Sequence, residues 1–332
     1  IAWIANDAED RVLCFDLTFL PLVEKLAPQL PSVRHFVAMT GRAHMPAQTA
    51  IPGLLCYDDL VEAEDGRYTW PEFDENTASS ICYTSGTTGN PKGAIYSHRS
   101  TVLHAFGVAL PDVMAASARD SILPVVPMFH VNAWGIAYAA PMVGARLVFP
   151  GPHLDGKSLY ELFEAERVTF SAGVPTVWLG LLNHVQQHGL KFSSFRRTAI
   201  GGSACPPAMI RALEEDYGVT VTHAWGMTEL SPVGTAAGFR AKHAGLSASE
   251  RRHLSESQGW ALYGVDMAIL GDDGQALPWD GKTSGDLVVR GPWVISSYFK
   301  QQGSPLVECD GKSWFPTGDV ATIDPDGFMR IT

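Results

Sequence analysis

Cysteine is scarce. The five residues Cys14, Cys56, Cys82, Cys205 and Cys309 are odd in number and widely spaced, with no C-x-x-C pair. That pattern excludes a disulfide framework and a structural zinc site, and fits a reducing compartment, the cytoplasm. Cys14 and Cys82 sit in apolar runs and read as core residues. Long hydrophobic runs are missing too: no apolar stretch reaches membrane-spanning length, and no secretory leader is legible at the start. Basic charge is low, with 24 Lys and Arg against 35 Asp and Glu and a formal net charge of −11. A phosphate polymer needs a basic surface, so nucleic acid is excluded as a partner. Repeats and low-complexity tracts are lacking. What is present, 332 residues at 46% hydrophobic and 18% charged, suffices for a large core in one large domain or two unequal ones.

Strand and helix signals alternate along most of the chain. Residues 11–15 read as a strand, 17–30 as one helix by apolar spacing and 33–39 as the next strand, a βαβ opening. Residues 40–77 are irregular and acidic, a surface excursion. Strands are expected at 80–83, 121–126, 145–149, 168–172, 198–200 and 219–223. Helices are expected at 97–108, 157–166, 175–187 and 206–217; Pro175 suits a first helical position because its missing N–H would be unpaired there anyway. Such alternation predicts an α/β fold of mostly parallel sheets flanked by helices. Residues 241–259 are polar and read as a connector or an exposed helix. Short strands at 265–270, 286–290 and 327–331, with a Gly-Asp-Asp-Gly turn at 271–274, predict a small β-rich subdomain at the C-terminal end.

The most informative stretch is 83–93, YTSGTTGNPKG, directly after the apolar run 80–83. Glycines let backbone N–H groups approach a phosphate closely, hydroxyls add donors, and Lys92 adds one mobile positive charge. It is not a Walker loop: Lys92 follows Pro91, and Gly93 stands where a metal-binding hydroxyl belongs. The dinucleotide G-x-G-x-x-G pattern is absent at this position. A polar linker is the plain alternative, but linkers do not normally place Pro-Lys-Gly after a buried strand. Further on come Pro127-Met128-Phe129-His130, Gly201-Gly202-Ser203-Ala204, Trp225-Gly226-Met227-Thr228-Glu229, Gly285-Asp286-Leu287 and Pro316-Thr317-Gly318-Asp319.

In that order these strings resemble the motifs of the adenylate-forming superfamily, which includes acyl-CoA synthetases, luciferases and peptide-synthetase adenylation domains. The resemblance covers nearly the whole chain and implies ATP, Mg²⁺ and coenzyme A as cofactor and co-substrates. It assigns Thr84, Ser85, Gly86, Thr87, Thr88, Gly89 and Lys92 to the phosphates, Gly201, Gly202, Ser203 and Ala204 to adenine and the acyl end, and Trp225, Gly226 and Met227 to the adenine side. It places Thr228 near the α-phosphate, Glu229 on Mg²⁺, Asp319 on both ribose hydroxyls and His130 at the entrance to the acyl pocket, with Lys92, Thr228, Glu229 and His130 as the catalytic set. The chemistry agrees: Mg²⁺ takes one or two carboxylates plus phosphate oxygens, and a flat purine suits an aromatic neighbour. Each residue also has a plain reading: an exposed glutamate, a core tryptophan, a turn aspartate, a satisfied histidine. Ser203 is no hydrolase nucleophile, since Cys205 occupies the last position of the G-x-S-x-G elbow. Trp134 reads as core or pocket wall.

The resemblance implies two steps, formation of an acyl adenylate from a carboxylic acid and ATP, then transfer to coenzyme A. The strings WGMTE and PMFHVNAWG and the opening IAWIANDAEDRVLCFD are similar to the medium- and long-chain fatty acyl-CoA ligase branch. Aryl acids and short sulfur-containing acids stay open, as do a carrier-protein acceptor and a non-catalytic nucleotide-binding module. The domains expected are 1–255, a nucleotide- and acyl-binding core, and 256–332, the β-rich subdomain. The family's N-terminal segment, hinge and mobile C-terminal domain have no counterpart here, so the chain is expected to be part of a longer enzyme. Nothing in the residues sets the oligomeric state, and a homodimer stays open.

Overall fold

The computed structural model describes residues 1–84 and 89–332, and the chain divides into two units, 1–73 and 74–332. In the first unit the strands Val12–Phe15, His35–Ala38 and Leu55–Cys56 form a parallel sheet in that order. Successive side chains on a strand face opposite ways. Phe15 therefore joins Val23 and Ile51 in the small core, while Cys14 is exposed rather than buried. The single helix expected at 17–30 is instead a 3₁₀ turn, Leu17–Phe19, a helix, Leu20–Leu26, and a second 3₁₀ turn, Ala27–Gln29. The Thr18 N–H donates to Asp16 Oδ1 at 2.8 Å and opens the first turn. Pro21 and Pro28, each lacking an N–H, fall at the starts of the next two pieces, where no donor is needed. The two-residue strand and the helix Tyr57–Glu62 lie inside the stretch read as irregular; a strand that short leaves no periodic signal.

The second unit is built on a seven-stranded sheet. From one edge its strands run Trp260–Ala261, Val233–Ala236, Thr220–Gly226, Arg197–Ile200, Phe170–Gly173, Ser121–Pro124 and Arg146–Leu147. The first two pair antiparallel and the other five are parallel. Period-two alternation divides its side chains between two cores. Ile122, Phe170 and Ala199 face one core, and Leu123, Val221 and Ile200 the other. The second face is covered by the helices Gly156–Ala165 and Pro175–Gln187, whose Phe163 and Trp178 are fully buried. Phe163 meets Phe195 edge-on at 4.8 Å. Burying a side chain of that size contributes roughly 2–3 kcal/mol. The first face packs against the helices His98–Ala109 and Ile136–Val143 and against a five-stranded antiparallel sheet.

That antiparallel sheet comprises Asp266–Leu270, Ser284–Arg290, Lys312–Ile323, Val307–Cys309 and Met329–Ile331. Residues 241–259 hold the helix Ala248–Ser255, opened by a reciprocal Ser247–Glu250 capping box. The helix expected at 206–217 runs as Pro207–Arg211 and then widens into a π turn, Ala212–Asp216. A two-stranded ribbon, Ala78–Thr84 with Lys92–Ser97, flanks the phosphate-loop residues. Cys82 on it is half-buried. No helix among the described residues is long and apolar enough to cross a membrane.

Candidate nucleotide site

Two parallel strands neighbour each other in the central sheet: one ends at Ile200, which pairs with His223, and the other runs on to Gly226. Past Ile200 the chain enters the loop 201–204; past Gly226 it enters the 3₁₀ turn Thr228–Leu230. Ligands of open α/β sheets bind at such carboxyl ends. Gly201 is buried, whereas Gly202, Ser203 and Ala204 are exposed. The Trp134 indole lies under this loop: a methyl group added at Gly201 would stand 2.7 Å from the Ala224 carbonyl oxygen and 3.3 Å from Trp134 Cη2. The two glycines thus leave a flat backbone surface over a buried indole.

Trp225, buried, donates its indole N–H to Asp319 Oδ2 at 2.9 Å. The pairing that allows this is irregular. Asp286 faces Val320 and Val288 faces Pro316, so the strand carrying Pro316-Thr317-Gly318-Asp319 has two more residues than its partner over the same span. The bulge is shaped by Gly318 at φ 82°, a conformation that glycine adopts without strain, and is pinned by Thr317, whose hydroxyl donates to the Leu287 carbonyl at 2.9 Å and accepts the Asp319 N–H at 3.1 Å. Bulges re-aim side chains, and this one brings Asp319 to Trp225.

Glu229 is 6% exposed, an unusual place for a carboxylate. It is held from several sides. The Tyr298 hydroxyl donates to Glu229 Oε1 at 2.7 Å, and the Ile295 N–H donates to the Glu229 carbonyl at 2.9 Å. Tyr96 donates its hydroxyl to the Thr228 carbonyl. Burial, together with the bond to Glu229, pushes the Tyr298 hydroxyl well above the usual phenol range, so it remains a donor. Lys92 opens the ribbon strand, its Nζ 5.2 Å from the Tyr298 ring centroid. Thr84 pairs with Lys92 across the ribbon, and Gly89 follows with φ 113°. Ser85, Gly86, Thr87 and Thr88, also expected to cradle phosphate, lie outside the described residues.

The structure therefore brings Lys92 and Glu229 together at Tyr298, holds Thr228 next to them through Tyr96, and joins Trp225 to Asp319. His130 stands apart: it is exposed, and its imidazole makes no hydrogen bond among the described residues. It immediately precedes four residues with left-handed backbone, Val131, Asn132, Ala133 and Trp134, at φ 44° to 57°. That turn drives Trp134 inward. Tyr298, Tyr96 and His104 escape sequence reasoning, because a tyrosine or histidine in an apolar stretch looks like core until its partner, more than 60 residues away, is known.

The donor set suits a magnesium nucleotide. One Glu229 oxygen is occupied by Tyr298, and the other accepts no hydrogen bond among the described residues. No group of three or more His, Cys, Asp or Glu able to hold a metal occurs among those residues. A cation at Glu229 would complete its shell from phosphate and water, as Mg²⁺ commonly does.

The AMP-binding enzyme family matches residues 1–299. Over 331 residues the chain is 55% identical to the 3-methylmercaptopropionyl-CoA ligase of Ruegeria lacuscaerulensis, and over 332 residues 54% identical to the medium-chain-fatty-acid–CoA ligase of Ectopseudomonas oleovorans. Both comparisons take in 100% of this chain, but 61% and 60% of the relatives' length. The chain thus spans less than two thirds of these curated relatives. The fold matches a long-chain-fatty-acid-CoA ligase crystal structure from Archaeoglobus fulgidus at a TM-score of 0.82 and 23% identity, over 100% of this chain and 64% of that one. With the 201–204 loop and the Thr228–Leu230 turn past the ends of neighbouring strands and the match running over 299 residues, the chain belongs to the AMP-binding enzyme family.

Proposed function

We propose that this chain forms the nucleotide and acid site of an AMP-forming acid–thiol ligase that activates a carboxylic acid of the fatty-acid class and passes it to coenzyme A. The observation that carries the reading is the convergence of Lys92 and Glu229 on Tyr298, with Thr228 held beside them by Tyr96 and Trp225 bonded to Asp319 across the two sheets. In the first step a carboxylate oxygen attacks the α-phosphorus; the new P–O bond forms as the bond to pyrophosphate breaks, leaving an acyl adenylate. In the second, a thiol sulfur attacks the acyl carbon, the C–O bond to AMP breaks, and the thiol proton leaves to solvent. Lys92 and the loop beside it would neutralise charge on the leaving pyrophosphate. Glu229 would hold Mg²⁺, which when bound supplies charge neutralisation on the phosphates. Asp319 would accept from the ribose hydroxyls through its two oxygens while Trp225 fixes its orientation. The loop 201–204 would lie along the adenine and the acyl end, with His130 at the acyl entrance.

Substrate choice rests on the relatives. Similar identities, 55% and 54%, tie the chain to a ligase named for a short sulfur-containing acid and to one named for medium-chain fatty acids. We favour the fatty-acid class and keep the sulfur-containing acid as the second reading. The decisive experiment is carboxylate-dependent pyrophosphate release from ATP by the protein at its natural length, with straight-chain acids of increasing length, 3-methylmercaptopropionate and aryl acids, and with coenzyme A or a carrier protein as acceptor. Saturation by a medium-chain acid, with thioester formed on coenzyme A, is expected. ATP binding with no carboxylate-dependent turnover would leave only a nucleotide-binding module. Glu229→Gln should raise the Mg²⁺ concentration for half-maximal activity at least about tenfold, from the loss of a charged ligand; an unchanged requirement removes Glu229 from the metal site. We place the protein in the cytoplasm on its cysteine usage, and oligomeric state can be read by light scattering.

A further inference from the structure

Tyr298 stands between the two charged groups assigned to the nucleotide. Its hydroxyl donates to Glu229 Oε1 at 2.7 Å, and its ring faces Lys92 Nζ at 5.2 Å. The tyrosine does not depend on those contacts for its place. Its backbone forms a bridge with Ala94, the next N–H, of Phe299, donates to the Gly93 carbonyl at 2.8 Å, and the Ile295 N–H donates to the Glu229 carbonyl at 2.9 Å. The segment is thus stitched by main chain to the ribbon that carries Lys92 and to the turn that carries Glu229. Phe315 packs edge-on against the ring at 6.2 Å. A side chain anchored this way can hold two mobile groups in fixed positions.

We propose that Tyr298 is a positioning residue of this site: its hydroxyl ties down one oxygen of Glu229 and leaves the other for the metal, and its ring face parks the ammonium of Lys92 beside the phosphates. This rests on the assignment of Glu229 to the metal given above. A carboxylate held by one strong donor loses its rotational freedom before the ligand arrives, so less ordering is left to oppose binding. The ring face attracts the ammonium through its quadrupole without competing for the donors that phosphate needs. The two effects act on different atoms, so two substitutions separate them.

The test uses the protein at its natural length, with Mn²⁺ as the probe ion and the α,β-methylene analogue of ATP. Electron paramagnetic resonance reads bound Mn²⁺ in the presence of analogue, and calorimetry in EDTA reads analogue affinity without metal. Tyr298→Phe removes only the hydroxyl. It should weaken Mn²⁺ binding about tenfold and leave metal-free affinity for the analogue unchanged. Tyr298→Leu also removes the ring face and should lower the metal-free affinity about threefold. In a Glu229→Gln background, Tyr298→Phe should have no further effect on Mn²⁺, because the oxygen it orients is no longer a charged ligand. If Glu229→Gln weakens Mn²⁺ binding but Tyr298→Phe does not, the positioning role is wrong and the metal assignment survives. If Glu229→Gln itself has no effect, the metal assignment fails first. Loss of folding in Tyr298→Phe, or an equal loss of analogue affinity with and without metal, makes the tyrosine structural and overturns the proposal.

Discussion

His104 should make this protein acid-labile, by an amount the structure allows one to work out. It lies on the helix His98–Ala109 and is 1% exposed. Its Nε2 accepts the Val233 N–H at 3.0 Å, and the Trp293 indole donates to the Val233 carbonyl at 3.2 Å. Both main-chain groups of Val233, which follows the Glu229 turn, are therefore satisfied by side chains from elsewhere. An Nε2 that accepts carries no proton, so the imidazole is neutral. Protonation would point a second N–H at the Val233 N–H inside the core. Burial accordingly pushes the histidine from its ordinary 6.5 down to about 3. The folded pKa lies below the unfolded one, so the unfolded chain takes up the proton first as pH falls. The stability this group contributes is complete above pH 6.5 and declines from there toward pH 3. At about 1.4 kcal/mol per pH unit, the loss is about 2 kcal/mol by pH 5. That is a large share of the roughly 5–15 kcal/mol typical of a folded domain. The assay is urea denaturation between pH 8 and pH 4.5 of the wild type and of His104→Gln, whose side-chain oxygen can still accept from Val233 but cannot titrate. Carboxylates common to both cancel in the difference. The wild type should lose about 2 kcal/mol relative to the variant between pH 7 and pH 5. Parallel pH profiles would refute the buried neutral imidazole.

Further consequences can be checked on the protein at its natural length. Trp225→Phe keeps an aromatic ring but frees Asp319; ATP affinity by calorimetry should fall about tenfold, the worth of one hydrogen bond to a charged group, and an unchanged affinity would separate Asp319 from nucleotide binding. Arg197→Met should cost about 3 kcal/mol in urea denaturation, because it strands Asp120, which is 7% exposed and meets the guanidinium at 2.9 Å. Burial raises the Asp120 pKa, but hydrogen bonds from Arg197, Thr169 and the Ser117 N–H outweigh it and hold the group below the usual carboxylate value. The stability from Asp120 is therefore present above its unfolded pKa and lost as pH falls toward the lower folded one, and in Arg197→Met that loss should begin at higher pH.

How much of this was legible beforehand differs by element. The helix starting at Ser97 and the one from Pro175 follow from local chemistry, a capping hydroxyl and a proline at the first turn. The strands expected at 121–126 and 198–200 are visible as short apolar runs and stand at Ser121–Pro124 and Arg197–Ile200, and the polar stretch 241–259 holds an exposed helix. The run 17–30 misled because apolar spacing ignores the two prolines that break it, and Cys14 misled because an apolar run does not say which side of a thin sheet each residue takes.

For the site, the order of motifs along the chain was enough to place it in its family, since glycine spacing, a lysine after proline and a carboxylate after threonine are properties of neighbours in sequence. Which groups hold those residues was not readable there. Asp319 reaches Trp225 across 94 positions through a two-residue bulge, and Glu229 is held by a tyrosine 69 positions away. Those partnerships arise from strand pairing and the packing of two sheets, both set by long-range burial rather than by any local pattern of residues.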